Sequence, residues 1–441
     1  MRIHVRPVTR LRGGVAVPGD KSISHRAALF GALATGRTEI TGFLEGEDCL
    51  ATLRAVRALG ATVTRKGPGH YLVDAEGPEA LTEPEDVIDC GNSGTTARLL
   101  MGVLAGQPFW TVLTGDASLR GRPMERVAVP LRQMGATVVG RQGGSRLPLA
   151  VSGARPLRGL RFASPVASAQ VKTALLLAGL WADGPVTVEE PAPSRDHTER
   201  MLSAFGARLS AEEGAVTLRP GGALTGQPVA VPGDISAAAF FLVAGTLVPD
   251  AVLSVKGVGV NPTRTGLLDV LAQMGAHISR QESGAGAGTI SAEPAADLGV
   301  TSARLSGTSV GGSLVPRLID EIPALAVAAC LAEGVTEIRD AAELRVKESD
   351  RIGAIASELG RMGAAITEHH DGLRIQGGRP LRGAAVSSGG DHRMAMALVI
   401  AGMLAEGETV VEDTGCIATS FPGFVDAVNA LAGGTCARAS A

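Results

Sequence analysis

The stretch Leu131-Arg132-Gln133-Met134-Gly135-Ala136-Thr137-Val138 decides the fold, because versions of it return along the whole chain. RALGATV stands at 57–63, SAFGARLS at 203–210, AQMGAHIS at 272–279, GRMGAAIT at 360–367, and a degraded NALAGGT at 429–435. Successive glycines lie roughly 70 to 90 residues apart, so six units of about 72 residues account for the chain. Each phrase predicts a helix that ends on a left-handed glycine cap (Gly60, Gly135, Gly206, Gly275, Gly363, Gly433) before a strand begins. A second phrase precedes each of these: a polar turn, an Ala/Leu-rich helix, then glycine and a strand. Its copies begin GDKSISHR, CGNSGTTA, SAQVKTAL, GDISAAAF, DEIPALAV and GDHRMAMA. The first unit parses as a strand near Val15 to Val17, a helix from Ser22 to about Thr35 and a strand around Glu39. A helix ending at Leu59 and strands at Ala61 and Tyr71 complete βαβαββ.

The leading helices are apolar on nearly every face, as at 174–180 and 394–404, which predicts burial with only their N-termini at the surface. Free N–H groups and the positive dipole end make such termini settings for anions, although Gly-Asp and Gly-Asn also serve as plain caps. VPGD occurs at 17–20 and 231–234, and the two copies mark the expected crossings between domains. They divide the chain into a continuous domain, 20–231, and a discontinuous one, 1–19 with 232–441, each of three repeats.

Composition removes several classes of function. With 41 Lys+Arg against 44 Asp+Glu the net charge is -3, whereas a nucleic-acid binder is usually strongly basic. At 45 % hydrophobic and 19 % charged residues the chain is globular in type, not disordered. No apolar run reaches the roughly 18 to 20 residues of a membrane span, and the N-terminus lacks a signal-peptide core. Cys49, Cys90, Cys330, Cys416 and Cys436 are widely spaced without CxxC, which points to reduced thiols, a cytoplasmic location and no zinc site. Gly284 to Gly288 spells GxGxG, but TISAEP follows where a dinucleotide fingerprint needs a helix. A P-loop is also a poor match: Asp20 precedes Lys21, and Pro18 removes a backbone donor.

The turns carry the chemistry. In 19–26 Lys21 and Ser22 open a buried helix, with Arg26 one turn on, so the three can converge on one anion. The Gly/Ser/Thr turn 89–96 contains Gly94 and suits close backbone approach to an anion. Ser168 and Gln170 are uncharged hydrogen-bonding groups at a helix start, and Arg120, Arg122 and Arg126 surround Pro123, which forces Arg122 to be extended. In the run 345–351 Lys347 and Arg351 are four apart and would share a helix face beside Glu348, which also fits a surface salt-bridge ladder. Asp320 is a carboxylate at the mouth of a buried helix, where the dipole favours its ionised form. Arg393 follows Asp391 at the start of another.

Taken in order, GDKSISHR, GNSGTTARLL, LRGRPM, ASAQVKTALLLAGL, IDEIPALAVAA, LRVKESDR and DHRMAMA resemble the 5-enolpyruvylshikimate-3-phosphate synthase family across essentially the entire chain. The resemblance implies an α/β fold of two inside-out, barrel-like domains, each of three βαβαββ repeats, with the active site in the cleft between them. It implies an enzyme that transfers enolpyruvyl from phosphoenolpyruvate to the 5-hydroxyl of shikimate-3-phosphate, with no metal or organic cofactor. Lys21, Ser22, Arg26, Ser168, Gln170, Asp320 and Lys347 match its shikimate-3-phosphate contacts. Lys21, Gly94, Arg122, Gln170, Arg351 and Arg393 match its phosphoenolpyruvate site, and Asp320, Glu348 and Lys21 its catalytic groups.

Glyphosate is the expected inhibitor, because Gly94 leaves room for it, and a monomer that closes on its ligands is the expected form. Three positions depart from the family: Ala169 replaces a serine, with Lys172 or Arg195 available to compensate. Glu343 stands where some relatives have asparagine, and Thr419 where others have lysine. The alternatives are the sister transferase acting on UDP-N-acetylglucosamine and a non-catalytic anion-binding relative. The sister's Lys-Asn turn and loop cysteine are absent here, and the joint presence of Asp320, Glu348 and Lys21 argues against the second.

Overall fold

The computed structural model describes residues 1–212, 214–282 and 293–440, so the glycine run 284–288 lies outside the described residues. All six phrase glycines have positive φ, from 68° at Gly433 to 105° at Gly135 and Gly206. Each lies within two residues of a helix end and precedes a strand, as Gly135 does between Glu125–Gln133 and Thr137–Gly140. A side chain would be strained there, and glycine is not.

Among the described residues the strands form six four-stranded sheets. All six share one plan, illustrated by Ile88–Asp89, Trp110–Thr114, Thr137–Gly140 and Leu149–Ser152. The first strand runs parallel to the second, the second antiparallel to the fourth, and the fourth antiparallel to the third. This is βαβαββ in register terms, because a parallel neighbour needs a crossover helix and an antiparallel one only a turn.

The chain divides into two compact units. The central unit is Gly19–Val231 together with Glu293; the terminal unit is Met1–Pro18, the described part of Pro232–Gly284, and Pro294–Ala441. The boundaries at Pro18/Gly19 and Val231/Pro232 fall inside the VPGD phrases, and a further one, which the sequence did not mark, lies between Glu293 and Pro294. In one respect the arrangement differs from the linear parse. The strand expected at Val15 to Val17, observed as Arg12–Ala16, does not pair within the unit whose helix it precedes. It lies parallel to Val252–Gly259 in the terminal unit, while Val229–Ala230 takes the equivalent place beside Thr35–Thr41 in the central unit. Each strand pairs on its own side of the crossing before the chain passes over.

Each unit is built around three inner helices. In the central unit they are α1 (Lys21–Leu33), α2 (Gly94–Leu104) and α3 (Ala169–Ala178); in the terminal unit α4 (Ile235–Leu247), α5 (Ile322–Leu331) and α6 (His392–Leu404). Every residue from Ile235 to Thr246 of α4 and from His392 to Met403 of α6 is buried, as expected of helices with no polar face. In α2 a Cβ on Gly102 would stand 2.1 Å from the Ala174 carbonyl oxygen of α3, so glycine sets how closely these two helices approach. Four phenylalanines, Phe240, Phe241, Phe421 and Phe424, cluster in the terminal core with ring centroids 5.4 to 6.1 Å apart. Each contributes about 1.5–3 kcal/mol by burial. Among the described residues no helix is long and apolar enough to cross a membrane.

Candidate active site

The inner helices carry several of the predicted residues at or near their N-termini, whereas Arg122, Lys347, Glu348 and Arg351 come from other segments. In the central unit Asp20 caps α1, its Oδ1 accepting from the Ile23 N–H at 2.9 Å. The next residue, Lys21, places Nζ 2.5 Å from Asp48 Oδ2 on the helix Glu47–Ala58. Arg26 is buried. Its Nε donates to Thr198 Oγ1 (2.8 Å), Nη2 to Thr173 Oγ1 (2.7 Å) and Nη1 to the Ser22 carbonyl (2.9 Å). Burial lowers its pKa to about 10, Glu199 and Asp20 work against that, and nearby Arg195 adds to it. Hydroxyl and carbonyl partners orient this guanidinium without cancelling its charge, which leaves it attractive to an anion.

Ser93 caps α2 through the Thr96 N–H, and Ser168 caps α3 through the Val171 N–H. Gln170 bridges the two helices: Oε1 accepts from Arg98 Nη1 at 2.7 Å and Nε2 donates to Thr95 Oγ1 at 3.0 Å. Arg122 is extended as Pro123 requires (φ -82°, ψ 144°), and its Nη2 donates to Asn92 Oδ1 at 2.7 Å. Gly94 begins α2, where a Cβ would meet Arg98 Nη1 at 2.8 Å and Arg122 Nη1 at 3.5 Å. Lys21, Ser22 and Arg26 therefore share one helix end, and Gly94, Arg122 and Gln170 adjoin one another at two more. The expected convergence of Lys21 and Arg26 on one point takes another form, since Lys21 turns to Asp48 and Arg26 to the threonines. Lys172, offered as a substitute for the serine missing at Ala169, is engaged elsewhere. Its ammonium is buried between Glu190 Oε2 (2.8 Å) and Glu199 Oε1 (2.7 Å), whereas Arg195 is only half-buried beside Arg26.

In the terminal unit three cations surround one carboxylate. Asp320 Oδ1 lies 3.1 Å from Arg351 Nη1 and 3.6 Å from Lys347 Nζ, and Oδ2 lies 3.7 Å from Arg393 Nη2. Arg351 has no exposed surface and also binds Glu348 Oε2 (2.6 Å) and Asp391 Oδ2 (2.7 Å). Burial alone would lower its pKa, but Asp391, Glu348 and Asp320 outweigh that and hold it above the ordinary value. Asp391 caps α6 through the Arg393 N–H (2.9 Å). Burial would raise its pKa, and Arg351 more than reverses this, so it stays below the usual carboxylate range.

Lys347 and Arg351 do not share a helix face. The 3-10 turn Ala342–Val346 stops before Lys347, and the next helix starts at Arg351 behind Asp350, whose carboxylate accepts from the Gly353 N–H at 3.1 Å. A well-placed Asp cap breaks the run that spacing alone would make continuous. The ladder reading holds only for its outer members, with Arg345 paired to Asp350 (2.7 Å) and Glu368 (2.8 Å).

The positioning partners Asp48, Arg98, Thr173, Thr198 and Asp391 escaped sequence reasoning as site residues. Asp48 lies 27 positions from Lys21, and nothing in EGED marks it except a carboxylate at a helix start. Asp391 alone carried a signal, repeating the Gly-Asp cap of Asp20 and Asp234. Thr414–Thr419 forms a 3-10 turn in which Thr419 donates to the Cys416 carbonyl at 2.8 Å.

Comparison with known proteins follows the same line. Residues 5–428 match the family described as EPSP synthase (3-phosphoshikimate 1-carboxyvinyltransferase). The 3-phosphoshikimate 1-carboxyvinyltransferase of Desulforudis audaxviator is 55% identical over 98% of this chain and 99% of its own. That of Pelotomaculum thermopropionicum is 56% identical over 97% and 98%. The EPSP synthase structure from Acinetobacter baumannii superposes with a TM-score of 0.87 at 44% identity over 100% of both chains. The enolpyruvyl transferase NikO from Streptomyces tendae, 20% identical with a TM-score of 0.80 over 99% of this chain and 98% of its own, shares the fold. With six βαβαββ units, anion-ready helix ends and a match over nearly its whole length, the chain belongs to the EPSP synthase family of enolpyruvyl transferases.

Proposed function

We propose that the chain transfers the enolpyruvyl group of phosphoenolpyruvate to the 5-hydroxyl of shikimate-3-phosphate, releasing phosphate, and that both units serve each turnover. The observation that carries this reading is Asp320 held among Lys347, Arg351 and Arg393 at the start of a buried helix. A carboxylate so placed is held in position, and a general base must be within hydrogen-bond reach of the proton it takes. The cations around it suit the roughly five negative charges that the two substrates bring.

In the addition step O5 bonds to C2 of phosphoenolpyruvate, Asp320 takes the hydroxyl proton, and C3 gains a proton. In the elimination step the bond from C2 to the phosphate oxygen breaks, C3 gives up a proton, and the double bond returns. Glu348, bound to Arg351, exchanges the proton at C3, and Lys21 acts electrostatically or as a proton donor. Lys21, Ser22, Arg26, Ser168, Gln170, Asp320 and Lys347 hold shikimate-3-phosphate. Lys21, Gly94, Arg122, Gln170, Arg351 and Arg393 hold phosphoenolpyruvate. Arg195 supplies the phosphate contact that Ala169 lacks. Glyphosate competes with phosphoenolpyruvate, and the enzyme works as a cytoplasmic monomer.

A coupled phosphate-release assay tests the reaction. Phosphate should appear with shikimate-3-phosphate and phosphoenolpyruvate and not when UDP-N-acetylglucosamine replaces the first. Asp320→Ala should reduce turnover by at least about a hundredfold, within the usual range for a general base. Near wild-type turnover in that variant would remove Asp320 from the role.

A further inference from the structure

Asp320 and Glu321 are consecutive, yet their side chains serve different partners. Asp320 meets Lys347, Arg351 and Arg393. Glu321 has only 1% exposure and occupies the N-cap position of α5, but makes no cap hydrogen bond with its side chain. Instead Oε1 accepts a short hydrogen bond from Ser236 Oγ and lies 3.7 Å from Arg264 Nη2. Arg264 is 2% exposed. Its Nη2 also donates to Ser236 Oγ (2.7 Å) and to Asp234 Oδ1 (3.2 Å). Asp234 in turn caps α4 by accepting the Ser236 N–H at 2.8 Å. A fully buried arginine, two carboxylates and a serine thus tie the N-terminus of α5 to that of α4.

Burying a carboxylate is unfavourable unless it is paired and hydrogen-bonded, and a hydrophobic side chain would cost less at this position. Glu321 Oε2 is buried with no hydrogen-bond partner among the described residues, so fold stability is a poor account of this glutamate. The peptide between Glu321 and Asp320 is what its anchoring controls. The Glu321 N–H is fixed to the Leu318 carbonyl (2.9 Å) and its carbonyl to the Leu325 N–H (3.0 Å). With the Glu321 side chain also held, the residue before it has little rotational freedom. A base displaced by about 1 Å from its productive geometry loses on the order of a hundredfold in rate.

We propose that Glu321, held by Arg264 and Ser236, is a positioning residue that aims the Asp320 carboxylate; this rests on Asp320 being the base. The test is a double-variant cycle in the full chain with Asp320→Asn, Glu321→Gln and the pair, together with Ser236→Ala and Arg264→Lys. For Glu321→Gln, kcat should fall about tenfold or more while KM for both substrates stays within about threefold. In the Asp320→Asn background the same change should cost less than twofold, because a misaimed base matters only when a base is present. Ser236→Ala removes one hydroxyl and should show a smaller kcat loss with the same KM pattern, which keeps the test open if Glu321→Gln folds poorly. Arg264→Lys should retain more activity than Arg264→Met.

Equal losses from Glu321→Gln in both backgrounds, or losses confined to KM or to thermal stability, would overturn the proposal. If Asp320→Asn itself leaves kcat unchanged, the base assignment fails instead, and the two failures are told apart.

Discussion

A methyl group on Gly94 would press on Arg98 Nη1 at 2.8 Å and touch Arg122 Nη1 at 3.5 Å, the far ends of long side chains that are hydrogen-bonded to Gln170 and Asn92 and can give by a small shift. Gly94 does not need a positive φ, and alanine is the better helix former by about 1 kcal/mol. Gly94→Ala should therefore leave the melting temperature equal or higher. It should raise KM for phosphoenolpyruvate severalfold and the inhibition constant of glyphosate more. Steady-state kinetics with glyphosate as the varied inhibitor check this, and an unchanged inhibition constant would count against it. Lys21, Gly94 and Arg351 could be singled out because each stands at a helix start within a family-like motif, although capping turns and charged runs have plainer uses. Their partners could not, since Asp48 and Thr198 reach the same places from elements that only the fold brings near.

Among the elements, α1, the helix Glu47–Ala58 and the cap of α2 are joined by a buried polar chain. His25 Nδ1 lies 2.7 Å from Thr52 Oγ1, which is 2.6 Å from Thr96 Oγ1, which donates to Ser93 Oγ at 2.7 Å. Burial lowers the His25 pKa to about 3; Asp48 opposes this, and Lys21 and Arg26 add to it. The unfolded value is about 6.5, so between about pH 6.5 and 3 the unfolded chain binds a proton that the folded chain refuses. This group contributes nothing to the pH dependence above that window. Within it, stability falls with falling pH by about 1.4 kcal/mol per unit. In urea unfolding from pH 7.5 to 4.5, His25→Asn should flatten the wild-type slope; identical slopes would contradict the assignment. The glycine-capped helix ends were plain in the sequence because few residues tolerate positive φ. The break at Asp350 was not, because Lys347 and Arg351 have the same spacing whether or not a helix runs between them.

Over the whole molecule, the repeat count was legible and the pairing at the crossings was not: a strand's neighbour in sequence says nothing of its neighbour in the sheet. Arg2–Val5 lies between Thr409–Glu412 and Ala437–Ser440, antiparallel to both, so the first strand of the chain completes the last sheet. Ile3, with no exposed surface, pairs with Val411 and Ala439. Ile3→Ala should destabilise the terminal unit by about 2–4 kcal/mol. Amide exchange should quicken in Thr409–Glu412 and Ala437–Ser440 and stay unchanged in the central unit. Uniform acceleration through both units would show that they do not unfold separately. The same strand sets a timetable for synthesis. At ribosomal speeds of about 5–20 residues per second, Arg2–Val5 waits roughly 20 to 80 seconds for its partners to be made. The central unit, whose strands are all encoded by 229–230, can complete its sheets meanwhile. Arg2–Val5 is thus made long before the strands that flank it, and losing it would leave Thr409–Glu412 and Ala437–Ser440 without the strand between them while the sheets of the central unit keep all of theirs.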